Sequence, residues 1–284
     1  MKNSLFTIIL SVFFILPVNL FAQEVQRQLK GTVSEVSING EVTGREIKFS
    51  IYLPEGYNNT SRKYPVVYHL HGRGGSHQGN QISIVPAAFE SAKSKGLIGD
   101  VIIVFPDGYV NSSWGDAYDG TKPAETNVIR EIIPYVDKTY KTVAEKSHRF
   151  IQGFSMGASG ALKFIAKFPE LFSKAYMYDA PFVSWERMSA DNERVTSTYN
   201  NDKEYFDRYT SWKFLKENRD LFTKSMRLGL VVGGLKAPNE RMHEFLDSLS
   251  IPHSIVRTDC KHVLPCLIEL EGDNAAAFYY SDIK

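Results

Sequence analysis

The sequence predicts an α/β fold with a mainly parallel central sheet and helices on both faces. Three observations carry this. Short apolar runs alternate with segments of helical periodicity along the chain. Residues 64–70 and 101–105 are almost wholly apolar, as strands covered on both faces are. The chain has 284 residues and is 43% hydrophobic, enough for one large core that needs neither metal nor disulfide to fold.

In order along the chain, residues 1–22 read as a secretory leader. Lys2 is a short basic start, residues 5–16 are apolar, Pro17 interrupts them, and Ala22 offers a small residue for cleavage. The run is short for a membrane span; an uncleaved anchor is the alternative. The mature chain, residues 23–284, is expected as one domain outside the cytoplasm. Residues 31–38 and 45–53 read as strands, with a turn at Asn39-Gly40 or Thr43-Gly44. The strand at 64–70 leads into His71-Gly72-Arg73-Gly74-Gly75, and Pro106-Asp107-Gly108 ends the strand at 101–105. Residues 127–140 have helical periodicity, with Ile129, Ile132, Ile133 and Val136 on one side. A strand at 149–153, a helix at 158–168 and a strand at 174–178 follow. Residues 184–222 are polar and rich in aromatics, and are expected as a partly helical insertion over the sheet. A strand at 228–232, a helix at 240–249 and a strand at 254–257 complete the pattern. The formal net charge is +1, with no block of like charge, so nothing points to nucleic acid or an anionic membrane surface.

Gly153-Phe154-Ser155-Met156-Gly157 carries the chemistry. G-x-S-x-G alone is a weak signal, but here it follows a β-branched, aromatic strand and opens an amphipathic helix. That is the setting of the nucleophile elbow of α/β-hydrolases. A serine there sits at a helix N-terminus, where free N–H groups favour developing negative charge. A second oxyanion donor comes from the loop after an earlier strand, which His71-Gly72-Arg73-Gly74-Gly75 fits. The backbone N–H groups of Met156 and Arg73 are therefore the expected pair. Of seven histidines, only His262 lies in a loop past the last strand, where this fold delivers its general base. Cys260 and Cys266 flank it. In an oxidising compartment they would close a small loop around the base; two free thiols are the alternative. Their spacing fits no metal site, and no metal or cofactor is implied.

The sequence also resembles the esterase group of α/β-hydrolases that includes the acetyl-xylan and feruloyl esterases of carbohydrate esterase family one, S-formylglutathione hydrolase and the mycolyltransferases. The resemblance rests on Ile51-Tyr52-Leu53-Pro54-Glu55-Gly56-Tyr57, on the run from Tyr64 to Gly72, on Phe105-Pro106-Asp107-Gly108, on Glu131-Ile132-Ile133-Pro134-Tyr135-Val136, on the Ser155 motif followed by Gly160-Ala161-Leu162, and on Phe168-Pro169-Glu170-Leu171-Phe172. It covers nearly the whole mature chain and implies the fold and serine-esterase chemistry.

One departure stands out. The family's triad acid is an Asp in a Gly-x-x-Asp after the strand that here ends at Val231-Val232-Gly233. This chain continues Gly234-Leu235-Lys236-Ala237-Pro238-Asn239-Glu240, so that acid is missing. Asp179, ending the strand after the nucleophile helix, is the leading replacement, because triads are defined by geometry rather than chain position. Glu240 is the alternative and Asp259 the third choice. With no acid at all, the chain would be a slow enzyme or a glycan-binding relative.

An extracytoplasmic address favours polysaccharide esters, such as feruloyl or acetyl groups on plant xylan, over the cytosolic substrate of S-formylglutathione hydrolase. Trp114, Trp185 and Trp212, with Tyr118, Tyr205 and Tyr209, are candidates for an aromatic platform, against the simpler reading that they pack the insertion.

Overall fold

The computed structural model describes residues 29–224, 226–281 and 283; the expected leader at 1–22 lies outside them. The apolar runs form one eight-stranded sheet, comprising β1 (Thr32–Asn39), β2 (Glu46–Leu53), β3 (Val66–Leu70), β4 (Ile102–Pro106), β5 (Arg149–Phe154), β6 (Lys174–Tyr178), β7 (Arg227–Val232) and β8 (His253–Arg257). Their order across the sheet is β1-β2-β4-β3-β5-β6-β7-β8. β1 and β2 form an antiparallel hairpin, β2 runs antiparallel to β4, and β4-β3-β5-β6-β7-β8 are parallel. Every residue of β3, β4 and β6 is buried, which accounts for their unbroken apolar sequences.

Side chains alternate between the two faces with the period of a strand. Ile102, Val104 and Ile151 enter one core, whereas Ile103, Phe105 and Phe150 enter the other. The second core is roofed by α1 (Gln81–Ser94) and α11 (Leu264–Tyr280). These two helices pack closely, since a Cβ on Gly272 would lie 2.7 Å from the Ala88 Cβ. The first core is covered by the segment 127–139, which follows α2 (Ala124–Thr126) and ends in α3 (Ile133–Thr139), by α4 (Met156–Lys167) and by α10 (Lys236–Ser248). The expected helix at 127–140 is thus longer and irregular. A π-helical turn, Asn127–Ile132, joins α2 to α3 just ahead of Pro134, which has no N–H to continue a regular ladder.

The segment expected as an insertion folds as five short helices between β6 and β7: α5 (Trp185–Met188), α6 (Asn192–Tyr199), α7 (Lys203–Asp207), α8 (Ser211–Glu217) and α9 (Arg219–Lys224). Asp202 caps α7 by accepting the N–H groups of Glu204 and Tyr205. Met188, Val195, Tyr199 and Phe206 form a small core of their own. Among the described residues no helix is long and apolar enough to cross a membrane.

Parallel strands put their C-terminal ends along one edge, and the loops after β3, β5, β6, β7 and β8 gather there. Just inside that edge, His69 of β3 is buried, with Nδ1 3.0 Å from Gln152 Nε2. Burial pushes its pKa down to about 3. Between that value and the ordinary value near 6.5, the unfolded chain binds a proton that the folded chain refuses. The stability His69 contributes is therefore present above about pH 6.5 and lost as the pH falls toward 3. Melting temperatures measured from pH 7 to pH 4 should fall, and His69→Gln should flatten that fall. An unchanged pH slope in the variant would contradict this.

Candidate active site

β5 ends at Phe154 and α4 begins at Met156, so Ser155 alone makes the turn. It does so at φ 55°, ψ −117°, a left-handed conformation that non-glycine residues adopt only under constraint. The constraint comes from its neighbours. A Cβ on Gly157 would lie 1.9 Å from the Leu70 carbonyl oxygen, and one on Gly153 would lie 2.4 Å from the Gly157 carbonyl. Only glycine at both positions lets the start of α4 press against the end of β3. Ser155 N–H donates to Tyr178 O at 3.0 Å. Met156, the first residue of α4, has no acceptor for its N–H within the helix.

His262 completes a continuous chain of hydrogen bonds. Its Nε2 is 2.8 Å from Ser155 Oγ, and its Nδ1 is 2.7 Å from Asp179 Oδ2. The Phe154 ring lies against the imidazole at 4.6 Å between centroids. Cys260 and Cys266 are bonded to each other, closing the loop that carries His262. Asp179 is fully buried, at φ 49°. A buried carboxylate requires donors, and this one has them. Gly233 N–H donates at 2.8 Å, Leu235 N–H at 3.0 Å and Asn239 Nδ2 at 3.3 Å. The two glycines after β7 permit this closeness. A Cβ on Gly233 would lie 3.0 Å from Asp179 Oδ2, and one on Gly234 would lie 2.7 Å from the His262 backbone nitrogen.

The other candidate acids are elsewhere. Glu240 is in α10, which starts at Lys236 rather than at the expected residue 240. It is held by both carboxylate oxygens to Arg257, at 2.7 and 2.8 Å, and that hydrogen bonding lowers its pKa. Asp259 is exposed, and both ring nitrogens of His262 are engaged by Asp179 and Ser155.

The glycine-rich loop after β3 lies beside the serine. A Cβ on Gly72 would be 3.3 Å from the Ser155 Cβ. Gly74 and Gly75 turn the loop by donating to Val110 O and Gly72 O. The Arg73 N–H has no hydrogen-bond partner among the described residues. Its side chain reaches Asp191 at 3.2 Å, tying the loop to the insertion. His71 is a buried brace. Its Nε2 accepts the Gly108 N–H at 3.0 Å, so Nδ1 carries the proton and donates to Gly72 O at 2.8 Å. Burial lowers its pKa and keeps it neutral.

A cavity opens beside Met156 and Ser159, between α4 and the insertion, with Phe182, Tyr199, Tyr209 and Trp212 among its walls. Lys163, also in the wall, is buried and bonded to Trp114 O, with Glu125 at 3.3 Å. Burial pushes its pKa down to about 8. Two wall residues carry buried polar atoms without a partner among the described residues, Ser113 Oγ and Trp212 Nε1.

The expected aromatic platform is corrected accordingly. Trp114 is fully buried. Its indole N–H donates to His71 O at 3.1 Å, and Gly108 and Gly160 lie so close that a Cβ on either would come within 2.7 Å of its side chain. Trp185 packs on Phe206 at 5.5 Å in the insertion's own core, and Tyr118 stands exposed against Tyr205. Only Trp212 of the three tryptophans lines the cavity, braced edge-on by Phe245 at 4.7 Å. Phe182, Ser113 and Lys163 have no sequence signal, because they come from the loop after β6, the loop after β4 and α4, which only the fold brings to one wall.

The family model described as "Putative esterase" matches residues 40–242. The chain belongs to that family. Its fold is that of the α/β-hydrolases. It superposes on a ferulic acid esterase with a TM-score of 0.75 at 20% identity, covering 89% of this chain and 98% of the other. For an S-formylglutathione hydrolase from Agrobacterium tumefaciens the TM-score is 0.73 at 16% identity, covering 90% and 97%. In sequence it is 33% identical over 138 residues to esterase Rv1288 of Mycobacterium tuberculosis and 30% identical over 153 residues to an endo-1,4-beta-xylanase/feruloyl esterase of Xylanibacter ruminicola. Those matches take in 46% and 50% of this chain but only 28% and 20% of the relatives.

The steric reading of the elbow is directly testable. Gly157→Ala should destabilise the fold by about 2–4 kcal/mol, because the added methyl must push backbone rather than a flexible side chain. Urea unfolding measures this, and an unchanged midpoint would contradict it.

Proposed function

We propose that this chain is a serine carboxylic-ester hydrolase. The observation that carries the reading is the unbroken chain from Ser155 Oγ through His262 to the buried Asp179 carboxylate, with links of 2.8 and 2.7 Å. His262 takes the serine proton at Nε2 as the hydroxyl attacks an ester carbonyl. Asp179, accepting from Nδ1, fixes the tautomer that leaves Nε2 free to do so and stabilises the imidazolium that forms. The N–H groups of Met156 and Arg73 stabilise the oxyanion, each such donor being worth about 10²–10³ in rate. The imidazolium then protonates the leaving alcohol, and water repeats the sequence on the acyl-enzyme.

For the substrate we propose acyl esters of plant polysaccharides, aromatic ones foremost. The aromatic wall of Phe182 and Trp212, in the cavity that Met156 lines one residue after the nucleophile, supports an aryl-acyl group such as feruloyl over acetyl. The unpartnered Trp212 Nε1 and Ser113 Oγ would pair with ring oxygens of such a group. The names of the xylanase-linked relative and of the ferulic acid esterase neighbour point the same way. We place the enzyme outside the cytoplasm, on the leader expected at residues 1–22 and on the Cys260–Cys266 bond.

Hydrolysis of p-nitrophenyl acetate and methyl ferulate tests the reaction class. Both should be cleaved, and Ser155→Ala should lose at least about 10³-fold in kcat. Failure to cleave either ester, or a variant that keeps its activity, would overturn it. Trp212→Phe keeps the ring but loses the donor. It should lower kcat/KM about tenfold for methyl ferulate, with little change for unsubstituted methyl cinnamate, and Ser113→Ala should act in the same direction. Equal losses on both esters would remove the ring-oxygen contact from the account.

A further inference from the structure

Away from this site, α10 and β8 bring together three side chains that the esterase reading does not use. His243 and Asp247 are one helical turn apart and share a face of α10. His253 opens β8, at the opposite end of that strand from the His262 loop. The three donor atoms lie within 4.8 Å of one another. His243 Nδ1 is 2.7 Å from His253 Nε2, and the Asp247 carboxylate is 3.6 Å from the first and 3.9 Å from the second.

We propose that His243, Asp247 and His253 form a binding site for a divalent transition-metal ion, Zn²⁺ in the first place. The ligand set is the first argument. Two imidazoles and one carboxylate suit Zn²⁺ and its neighbours, whereas Mg²⁺ and Ca²⁺ prefer all-oxygen shells. Spacing is the second. Metal–ligand bonds of about 2.0–2.2 Å in a tetrahedron put neighbouring donors about 3.3–3.6 Å apart. The three observed separations straddle that value, so side-chain rotations of modest size suffice.

The third argument is orientation. His253 Nδ1 lies 2.8 Å from the Ile251 carbonyl and must donate to it, which leaves Nε2 bare and facing the cluster. A histidine ligand oriented by a backbone carbonyl through its other nitrogen is the usual supporting arrangement of a metal site. In the metal-free protein the short contact between the rings then requires the proton on His243 Nδ1. Metal binding needs that nitrogen bare, and His243 meets the requirement by shifting its proton to Nε2.

Access is the fourth argument. The His253 side chain is 3% exposed and His243 25%, but Asp247 is 62% exposed. An ion enters from the Asp247 side, and the fourth position faces water. The site would clamp α10 to β8. α10 carries Asn239, which holds Asp179, and β8 runs into the loop that holds His262.

The full chain, stripped with EDTA and then titrated with Zn²⁺ alone, tests the proposal by calorimetry and thermal melting. One ion should bind per chain. At Zn²⁺ a hundredfold above its dissociation constant, the melting temperature should rise by about 5 °C or more. His243→Gln and Asp247→Asn should each weaken binding at least about tenfold, while His262→Ala should bind as wild type does. A wild-type protein without Zn²⁺-dependent heat or melting shift would overturn the site and leave a hydrogen-bonded histidine pair. Binding that survives His243→Gln and disappears in His262→Ala would overturn it by assigning the ion to the esterase site instead. None of these readouts depends on ester hydrolysis.

Discussion

The arrangement at the sheet edge depends on one buried anion. Asp179 has no solvent to stabilise it, so its carboxylate must be met by protein donors, and these come from separate parts of the chain. Gly233, Leu235 and Asn239 supply N–H groups from the end of β7 and the start of α10, and His262 supplies the remaining contact from the loop after β8. Each donor fixes a loop that the sheet alone would leave free. The disulfide and the Phe154 ring then hold His262 from two further sides. The imidazole is thereby oriented toward Ser155 before any substrate arrives, which is the preorganisation this chemistry needs.

This explains what the segment after β7 does without its expected acid. Where the family pattern carries a carboxylate, this chain has two glycines and a short turn into α10. A residue with a side chain at 233 would contact Asp179, and one at 234 would contact the His262 backbone. The segment supplies donors instead, and the carboxylate they hold is that of Asp179, just after β6. The position of Ser155 is set by a different contact, the approach of Gly157 to Leu70.

Much of this was legible in the chain. The unbroken apolar runs of β3 and β4 announced strands covered on both faces, and the spacing of Gly153, Ser155 and Gly157 announced the elbow. Chain order alone singled out His262. The choice between Asp179 and Glu240 was open, because both satisfy the required residue type and only the fold shows which one faces the imidazole. Glu240 is committed to Arg257 on the outside of α10. The reading of Trp114 as a substrate platform failed because composition cannot distinguish a surface indole from one enclosed by Gly108 and Gly160. The helices α1 and α11 carried no clear periodic signal. Pro86, a poor helix former, lies inside α1, and α11 carries apolar residues outside its buried stripe, such as the exposed Leu270. The cavity wall was illegible for a simpler reason: Ser113, Met156, Phe182 and Trp212 are distant in sequence.

The central claim is that Asp179 serves His262 in activating Ser155. The rate at which a fluorophosphonate reacts with Ser155 reads that activation without reference to any natural substrate. Mass spectrometry of the labelled peptide should show modification at Ser155 alone. The rate should be the same in the wild type and Glu240→Gln, and about 10²–10⁴-fold lower in Asp179→Asn with the fold intact. Labelling of Asp179→Asn at the wild-type rate, or loss of labelling in Glu240→Gln, would contradict the account.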